Sequence, residues 1–283
     1  MKMNALYKVT GTSKQAFHQY LDKQMLILEE QQQLLPVIHQ IRTDHPSLSV
    51  RRIYTMIFPK SMGRDKFEQF CYLYGYKLSV KRNYHRTTNS LGITRFENLI
   101  KGMELTGINQ VWVSDITYYR IGERFYYLTF ILDLYSRYIV GHAVSESLFT
   151  EQTTIPALNM ALTLRKPRNE LIFHSDGGGQ YYCKAFLAIT QSKFIKNSMC
   201  ESVYENAHAE RINGTIKNDY LIYYAPEDYS KLITLTEKAV KMYNTFRPHA
   251  SLKNISPEAF ELSTKEALIN KEKRSKKEIL QQY

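Results

Sequence analysis

The chain of 283 residues is 43% hydrophobic and 23% charged, a composition that allows a sizeable core and excludes a mostly disordered protein. No stretch approaches the roughly 20 apolar residues that span a bilayer, and the N-terminus lacks the apolar run of a secretory signal, so we expect a cytoplasmic protein with no membrane partner. Three widely separated cysteines, Cys71, Cys183 and Cys200, lack zinc-site spacing and predict reduced thiols.

The net charge of +11 is unevenly distributed along the chain. Residues 1–100 carry 15 basic and 7 acidic side chains, residues 101–263 carry 17 of each, and the last 20 residues carry 6 and 3. A basic flank beside a neutral middle favours a flank that binds a polyanion and a middle with a different task. A merely cationic surface is the alternative that charge alone leaves open.

The first hundred residues are predicted to be helical. Residues 4–22 contain two short apolar-periodic pieces broken at Gly11, with Thr12 and Ser13 placed to cap the second. This is the outline of a helix-turn-helix, although many helical hairpins share it. Residues 24–43 form another amphipathic stretch, which we expect Pro36 to interrupt.

Basic residues in this flank lie beside apolar or aromatic ones. Arg51 and Arg52 precede an apolar helical face, and Lys81, Arg82 and Arg86 surround a tyrosine. Such interleaving suits phosphate binding and base stacking, and it suits an exposed linker equally well. We take these five residues as candidate DNA-binding residues.

The pattern changes from helices to strands near residue 108. Three β-branched and aromatic runs with short connections predict an antiparallel meander, and a short apolar run predicts a buried strand. A further short strand and several helices follow. The predicted strands are 111–119, 125–133, 137–145, 170–176 and a possible fifth within 193–200, and the helices are 150–165, 203–221 and 225–246. Together they predict a mixed α/β sheet.

Three acidic residues stand where structure alone would not select them. Asp115 interrupts a β-rich strand, where Asp is depleted. Asp176 ends a buried strand immediately before three glycines, at the edge where open α/β sheets place their sites. Glu210 shares one helical face with Asn206, Asn213 and Lys217, by the 3.6-residue period.

Brought together, these carboxylates would form a cluster that requires a cation. Hard divalent ions such as Mg²⁺ take oxygen ligands, and two of them can activate one oxygen and stabilise another at a phosphodiester. Each acid also has an ordinary structural explanation: a strand-edge residue, a turn former before glycine, and a solvated helix residue. Asp133 and Glu205 compete for the same roles.

Five motifs carry a resemblance to a known family. They are WVSDITYY, DLYSRYIVGHAVS, HSDGGGQY, ENAHAERINGTIK and YNTFRPHASLKNISPEAF, in this order. They resemble bacterial insertion-sequence transposases with an integrase core, which are second-reading-frame products related to retroviral integrases. The resemblance is strong over residues 100–260 and weaker over residues 1–90, where HPSLSVRRIYTMI is the nearest match.

The resemblance implies an α/β fold of the ribonuclease-H-like type, with a mixed five-stranded sheet flanked by helices and preceded by an all-helical helix-turn-helix region. It implies an Asp-Asp-Glu site with two Mg²⁺ ions, for which Mn²⁺ can substitute. By motif, Asp115, Asp176 and Glu210 match the three acids, and Lys217 matches a lysine that lies against the element's terminal DNA. The implied reaction is cleavage of the element's ends by water and transfer of the 3′-hydroxyls into target DNA.

Other motif positions are assigned by the same resemblance. Asp133 and Arg137 match a motif that is more plausibly structural, and Glu205 is not the catalytic acid. Thirty-three residues lie between Asp176 and Glu210, two fewer than is usual in the family, and the HSDGGG motif lacks the common Arg after the Asp. The expected organisation is a DNA-binding region (1–90), a linker (91–107), a catalytic core (108–262) and a basic tail (263–283).

The expected partners are the element's terminal repeats and target DNA, further copies of the chain assembled on DNA, and a protein from an upstream reading frame. Two other functions remain as alternatives. One is a DNA-binding regulatory product of the element without catalysis, which the basic flank favours. The other is a nuclease of the ribonuclease H fold, which shares the acids, although the YNTFRPHASLKNISPEAF motif argues for the transposase.

Overall fold

The computed structural model describes residue 7 and residues 11–78, 96–167, 170–200 and 206–265. The chain divides into two compact units, one within residues 1–80 and the other within residues 81–283. No helix in these described ranges is both long and apolar enough to span a membrane.

The N-terminal unit consists of three described helices, α1 (Lys14–Asp44), α2 (Val50–Ile57) and α3 (Arg64–Leu73). Their apolar faces meet in one small core. Its most deeply buried members are Leu34, Ile38, Leu48, Val50, Ile53, Phe67 and Cys71. The predicted helical N-terminal region is confirmed.

Helix α1 differs from the prediction in its length. Ser13 caps its N-terminus as expected, since its hydroxyl accepts a hydrogen bond from the Ala16 amide at 3.1 Å. Pro36, however, lies inside the helix and does not interrupt it. An internal proline costs about 3 kcal/mol, and burial of the neighbouring Leu34 and Ile38 in the core offsets that cost.

The second unit is built on a five-stranded mixed sheet with the order β3-β2-β1-β4-β5. Strands β1, β2 and β3 form the predicted antiparallel meander, whereas β4 and β5 are parallel to β1. The strands are β1 (Val111–Ile121), β2 (Arg124–Asp133), β3 (Ile139–Ser145), β4 (Ile172–Ser175) and β5 (Lys196–Met199). The predicted ribonuclease-H-like sheet is confirmed, including its short fifth strand.

Five helices flank the sheet within the described residues. They are α4 (Thr154–Arg165), α5 (Lys184–Ser192), α6 (Ala207–Gly214), α7 (Tyr229–Phe246) and α8 (257–265). Helix α6 continues as a π-helical segment (Thr215–Leu221) and one α-helical turn (Ile222–Tyr224).

Two predicted helix starts were wrong. Thr153, not Thr150, precedes α4, and Asp228 caps α7 by accepting from the Lys231 amide at 2.7 Å.

The strand alternation divides the core into two layers. Val111 and Val113 pack with α6 and α7 on one face of the sheet, while Trp112 packs with α4 and α5 on the other. Helix α4 approaches β3 closely at Gly141. A Cβ at that position would lie 2.2 Å from the Ala157 carbonyl oxygen, so only glycine permits this contact.

A buried ion pair joins α4 to α8. The Arg165 guanidinium donates two hydrogen bonds to the Glu261 carboxylate, at 2.7 and 2.8 Å, and its plane lies 4.5 Å from the ring centre of Tyr138. The two side chains are only 10% and 7% exposed. Because neither charge can be hydrated when the other is removed, the pair links α8 firmly to the unit.

We therefore expect Glu261→Gln to lower the free energy of unfolding by about 3–5 kcal/mol, the usual cost of leaving one buried charge without its partner. Chemical denaturation measures it. The matched control is Glu170→Gln, which breaks the Lys196–Glu170 pair, whose side chains are 54% and 78% exposed. That change should cost less than about 1 kcal/mol. Equal losses for the two variants would contradict the assignment.

Candidate active site

Strand pairing places two of the predicted acids side by side. In the parallel pairing of β1 with β4, Ser114 is opposite Ser175, so Asp115, within β1, and Asp176, directly after β4, lie at the same level of the sheet. Alternation puts Asp115 on the same face as Val113, the face covered by α6. Neighbouring strands lie about 4.8 Å apart. The two carboxylates are therefore neighbours because of the pairing of β1 with β4.

The turn after β4 holds Asp176 in place. Its carboxylate accepts a hydrogen bond from the Gly178 amide at 3.1 Å. A Cβ at Gly178 would lie 3.0 Å from the same carboxylate oxygen and 3.3 Å from the Gln180 side chain, so the glycine lets the backbone amide approach closely. The glycine run after this strand thus fixes the orientation of the acid.

Helix α6 and its π-helical continuation lie along β1 with one polar face. The Asn206 side chain donates to the Ser114 carbonyl at 3.1 Å, and the Asn213 side chain donates to the Asp115 carboxylate at 2.8 Å. The Lys217 ammonium lies 3.4 Å from the Tyr118 carbonyl and 5.3 Å from the Tyr118 ring centre. These contacts match the face predicted from the helical period.

Burial and the charges of neighbouring acids raise the pKa of the carboxylates at this site. Burial raises the pKa of Asp115 to about 7, and the negative charges of Asp176 and Glu210 add to the rise, while the hydrogen bond from Asn213 opposes it. Burial also raises the pKa of Asp176 against the effect of the Gly178 amide. Glu210 itself is exposed. The structure thus places Asp115 within electrostatic reach of both other predicted acids.

The pKa of Lys217 depends on burial and on the charge of one of the same acids. Burial lowers the pKa of its ammonium group, and the negative charge of Asp115 counteracts that effect. Lys217 therefore lies on the edge of the carboxylate site.

The oxygen-rich side chains at this site fit a hard divalent cation. Carboxylates are the preferred ligands of Mg²⁺, and mutual repulsion of the acids favours a cation between them. The buried amide oxygens of Asn206 and Asn213 have no hydrogen-bond partner among the described residues. Within those residues, no three His, Cys, Asp or Glu side chains form a ready-made cage, but Mg²⁺ is commonly held by one or two carboxylates, with water and phosphate completing its shell.

The competing acids and the other predicted DNA-binding residues lie elsewhere. Asp133 is fully buried and accepts hydrogen bonds from the amides of Asn109, Tyr135 and Ser136, so it holds a turn. Arg51 is exposed on α2 and pairs with Glu68 at 3.4 Å, and Arg52 lies beside it. Glu205, Lys81, Arg82 and Arg86 lie outside the described residues.

Two residues beneath the site were missed by sequence reasoning. Ser114 faces away from α6, and its hydroxyl lies 3.0 Å from the Tyr181 hydroxyl and 2.9 Å from the Phe130 carbonyl. Tyr181 is 3% exposed, and the charges of Asp176 and Asp115 contribute to its raised pKa. A serine within a β-rich strand and a tyrosine after a glycine run were the available signals. Their contact, 67 residues apart, needed the fold.

The sequence matches a family described as integrase core domain over residues 106–203, and a second family of that description over residues 195–257. It is 31% identical over 263 residues to the insertion element IS600 uncharacterized 31 kDa protein of Shigella sonnei, a match that covers 89% of this chain and 96% of that protein. It is 33% identical over 176 residues to the transposase InsF for insertion sequence IS3A of Escherichia coli (strain K12), spanning 60% of each chain.

Solved structures with a similar fold include retroviral integrase cores. The HTLV-2 integrase catalytic core domain in complex with magnesium matches with a TM-score of 0.45 and 22% identity, over 54% of this chain and 96% of that one. The catalytic core domain of BIV integrase matches with a TM-score of 0.42 and 15% identity, over 57% of this chain and 99% of that one.

The raised pKa of Asp115 predicts a pH-dependent stability. The folded state holds the Asp115 proton up to about pH 7, whereas an unfolded Asp releases it near its ordinary pKa of 3.8. Ionisation therefore costs stability as the pH rises between these values. In metal-free buffer, we expect Asp115→Asn to stabilise the fold by on the order of 3 kcal/mol at pH 8 and by little at pH 3.5.

Denaturant unfolding at the two pH values measures this difference, with Glu151→Gln, an exposed acid after β3, as the control. A stabilisation that is the same at both pH values would show that the folded state does not raise the pKa of Asp115.

Proposed function

Because the chain belongs to the bacterial insertion-sequence transposases with an integrase core, we propose that it cleaves the ends of its mobile element and transfers them into target DNA, with Asp115, Asp176 and Glu210 as the catalytic carboxylates. The observation that carries this assignment is the β1–β4 pairing that sets Asp115 beside Asp176, together with the hydrogen bond to Asp115 from Asn213 on the helix that bears Glu210. It supports convergence of two strands and one helix on a single point.

Asp115, Asp176 and Glu210 would hold two Mg²⁺ ions, or Mn²⁺ in their place. When bound, two such ions supply the Lewis acidity that activates an attacking oxygen and stabilises a leaving one at a phosphodiester. The three acids differ in exposure, because Asp115 and Asp176 are partly covered and Glu210 is exposed. The strand acids are thus fixed in place, while the helix acid can adjust to substrate.

The residues around the acids orient them without neutralising them. The Asn213 amide donates to one oxygen of Asp115, and the Gly178 amide donates to one oxygen of Asp176. The Ile116 amide is a further donor to Asp115. Since amide donors carry no net charge, they do not compete as counter-ions with a cation that binds these carboxylates.

Lys217 supports a DNA contact at the edge of this site. Its ammonium group is held over the Tyr118 ring, in the π-helical segment that follows α6. A cation that is partly desolvated and has no acidic hydrogen-bond partner in the described residues is suited to a phosphate. We assign Lys217 to the DNA end that undergoes cleavage.

The basic N-terminal region is assigned to DNA binding. Arg51 and Arg52 begin α2, and Lys81, Arg82 and Arg86 follow in the sequence. Strand transfer requires two element ends at once, so we expect copies of the chain to assemble on DNA. A protein from an upstream reading frame is a further expected partner.

The first test measures nicking of supercoiled plasmid in Mn²⁺, which needs no knowledge of the element's ends. We expect Glu210→Gln to lower nicking by more than about 100-fold, because even an outer-sphere partner of a metal site contributes 10–100-fold, and to leave DNA affinity close to that of the wild type. Glu205→Gln, which removes the competing acid near the same helix, is the matched control and should retain activity.

The outcomes separate the candidate functions. Loss of nicking in both Glu210→Gln and Glu205→Gln would leave the helix acid unassigned. Full nicking in both variants would overturn the assignment of the site. Mn²⁺ binding by calorimetry gives a second readout, since a purely DNA-binding regulatory product has no reason to bind the ion through these acids. Joining of a 3′-hydroxyl to a second duplex would separate a transposase from a nuclease that only hydrolyses.

Lys217 provides a prediction of a different kind. We expect Lys217→Gln to weaken binding of an element-end duplex several-fold and to reduce its salt dependence by about 0.9 in log–log slope, as loss of one phosphate contact does. Nicking at saturating DNA should fall much less than in Glu210→Gln. Equal loss at saturating and limiting DNA would assign Lys217 to the chemistry instead.

A further inference from the structure

The turn between β2 and β3 presents one arginine in an unusual way. Arg137 has a φ of 61°, in the left-handed region that non-glycine residues seldom adopt. Its amide donates to the Asp133 carbonyl at 2.9 Å, and the Asp133 side chain holds the two preceding amides of the same turn. The backbone of this turn is therefore fixed, and it fixes the origin of the Arg137 side chain.

The Arg137 guanidinium is partly buried without a matching acceptor. Its Nη1 atom is inaccessible to solvent and has no hydrogen-bond partner among the described residues. Burial lowers its pKa, and Asp133 and Tyr243 offset that effect only in part. Since a guanidinium stays charged in proteins, a partly exposed guanidinium with one unpaired nitrogen favours an anion at its exposed part.

Two more basic side chains lie next to it. His208 and Arg211 are exposed and lie one turn apart on α6. Burial lowers the pKa of the His208 ring, and the positive charges of Arg137 and Arg211 lower it further. The charge of Arg211 also acts on Arg137, so the three residues lie within electrostatic reach of one another. The three residues Arg137, His208 and Arg211 are called the basic cluster below.

No acid neutralises the basic cluster within the part of the chain that the structure describes. None of its members forms an ion pair there. Asp133 has both oxygens engaged by amides and by the Ser136 hydroxyl, and Glu210, which precedes Arg211 on α6, is one of the proposed metal ligands. Arg247 is a contrasting case on the same face of the sheet, since it pairs with Asp219. The cluster thus has an excess of positive charge that no described side chain satisfies.

We propose that the basic cluster binds a backbone phosphate of the DNA strand that enters the carboxylate site. Two guanidinium groups provide the paired N–H donors that match phosphate oxygens, and the imidazole adds a third donor. The location supports DNA, because His208 and Arg211 flank Glu210 on one helix. A phosphate held here belongs to the same molecule as the bond at the acids. This inference rests on the proposed function.

The test measures the affinity of the full chain for a fluorescein-labelled duplex by anisotropy, over a range of salt concentrations and in EDTA. We expect Arg211→Gln to reduce the log–log salt slope by about 0.9, the value for one phosphate contact in duplex DNA. Arg137→Lys retains the positive charge but loses the paired N–H donors of the guanidinium. It should weaken binding of the duplex several-fold with little change in the log–log salt slope. Lys193→Gln, an exposed lysine after α5, should bind like the wild type.

Because Arg211 and Lys193 are both exposed, neither variant is expected to affect folding, and circular dichroism checks this. A wild-type salt slope in Arg211→Gln, or a wild-type affinity in folded Arg137→Lys, would overturn the proposal. An equal fall in slope in Lys193→Gln would also overturn it, since the effect would then be one of general charge. The test uses no metal, so plasmid nicking that fails in the wild type would refute the proposed cleavage without affecting this result.

Discussion

The parallel pairing of β1 with β4 is the constraint on which the candidate site depends. It aligns Ser114 with Ser175 and so leaves Asp115 and Asp176 adjacent at the end of the shared ladder. Two carboxylates in that position repel each other, and the apolar layers on both sides of the sheet hold them there. Packing of the sheet therefore offsets the repulsion between these carboxylates, which protonation of Asp115 or a bound cation relieves.

The residues that orient the acids are neutral, and this choice has a chemical reason. A lysine or arginine in place of Asn213 would pair with Asp115 and lower its pKa, but it would also compete with a cation for the same oxygen. An amide donor fixes the side chain without removing its charge. The only lysine near the acids, within the described residues, is Lys217, whose ammonium contacts Tyr118 and not a carboxylate.

The sequence predicted the structure best where the pattern lay within a single helix or strand. The β-branched runs predicted all five strands, and the helical period predicted the shared face of Asn206, Asn213 and Lys217, because both patterns depend on neighbours within one element. Predictions failed where tertiary packing decided the outcome. Helix α1 continues through Pro36 because its flanking residues are buried. The Ser114–Tyr181 contact and the neighbours of Arg137 join segments far apart in sequence, so no local pattern reports them.

Helix α6 carries a basic residue on each side of the acid Glu210. A polyanionic substrate explains this arrangement. Three carboxylates alone would repel a DNA backbone, and cations held between them compensate only at the bond that reacts. The adjacent phosphates still meet the exposed acid Glu210. Placing His208 and Arg211 beside Glu210, with Arg137 behind them, supplies attraction within one helical turn of that repulsion. In the proposed function, the negative and positive groups are therefore parts of one surface that would bind a strand and position one of its bonds.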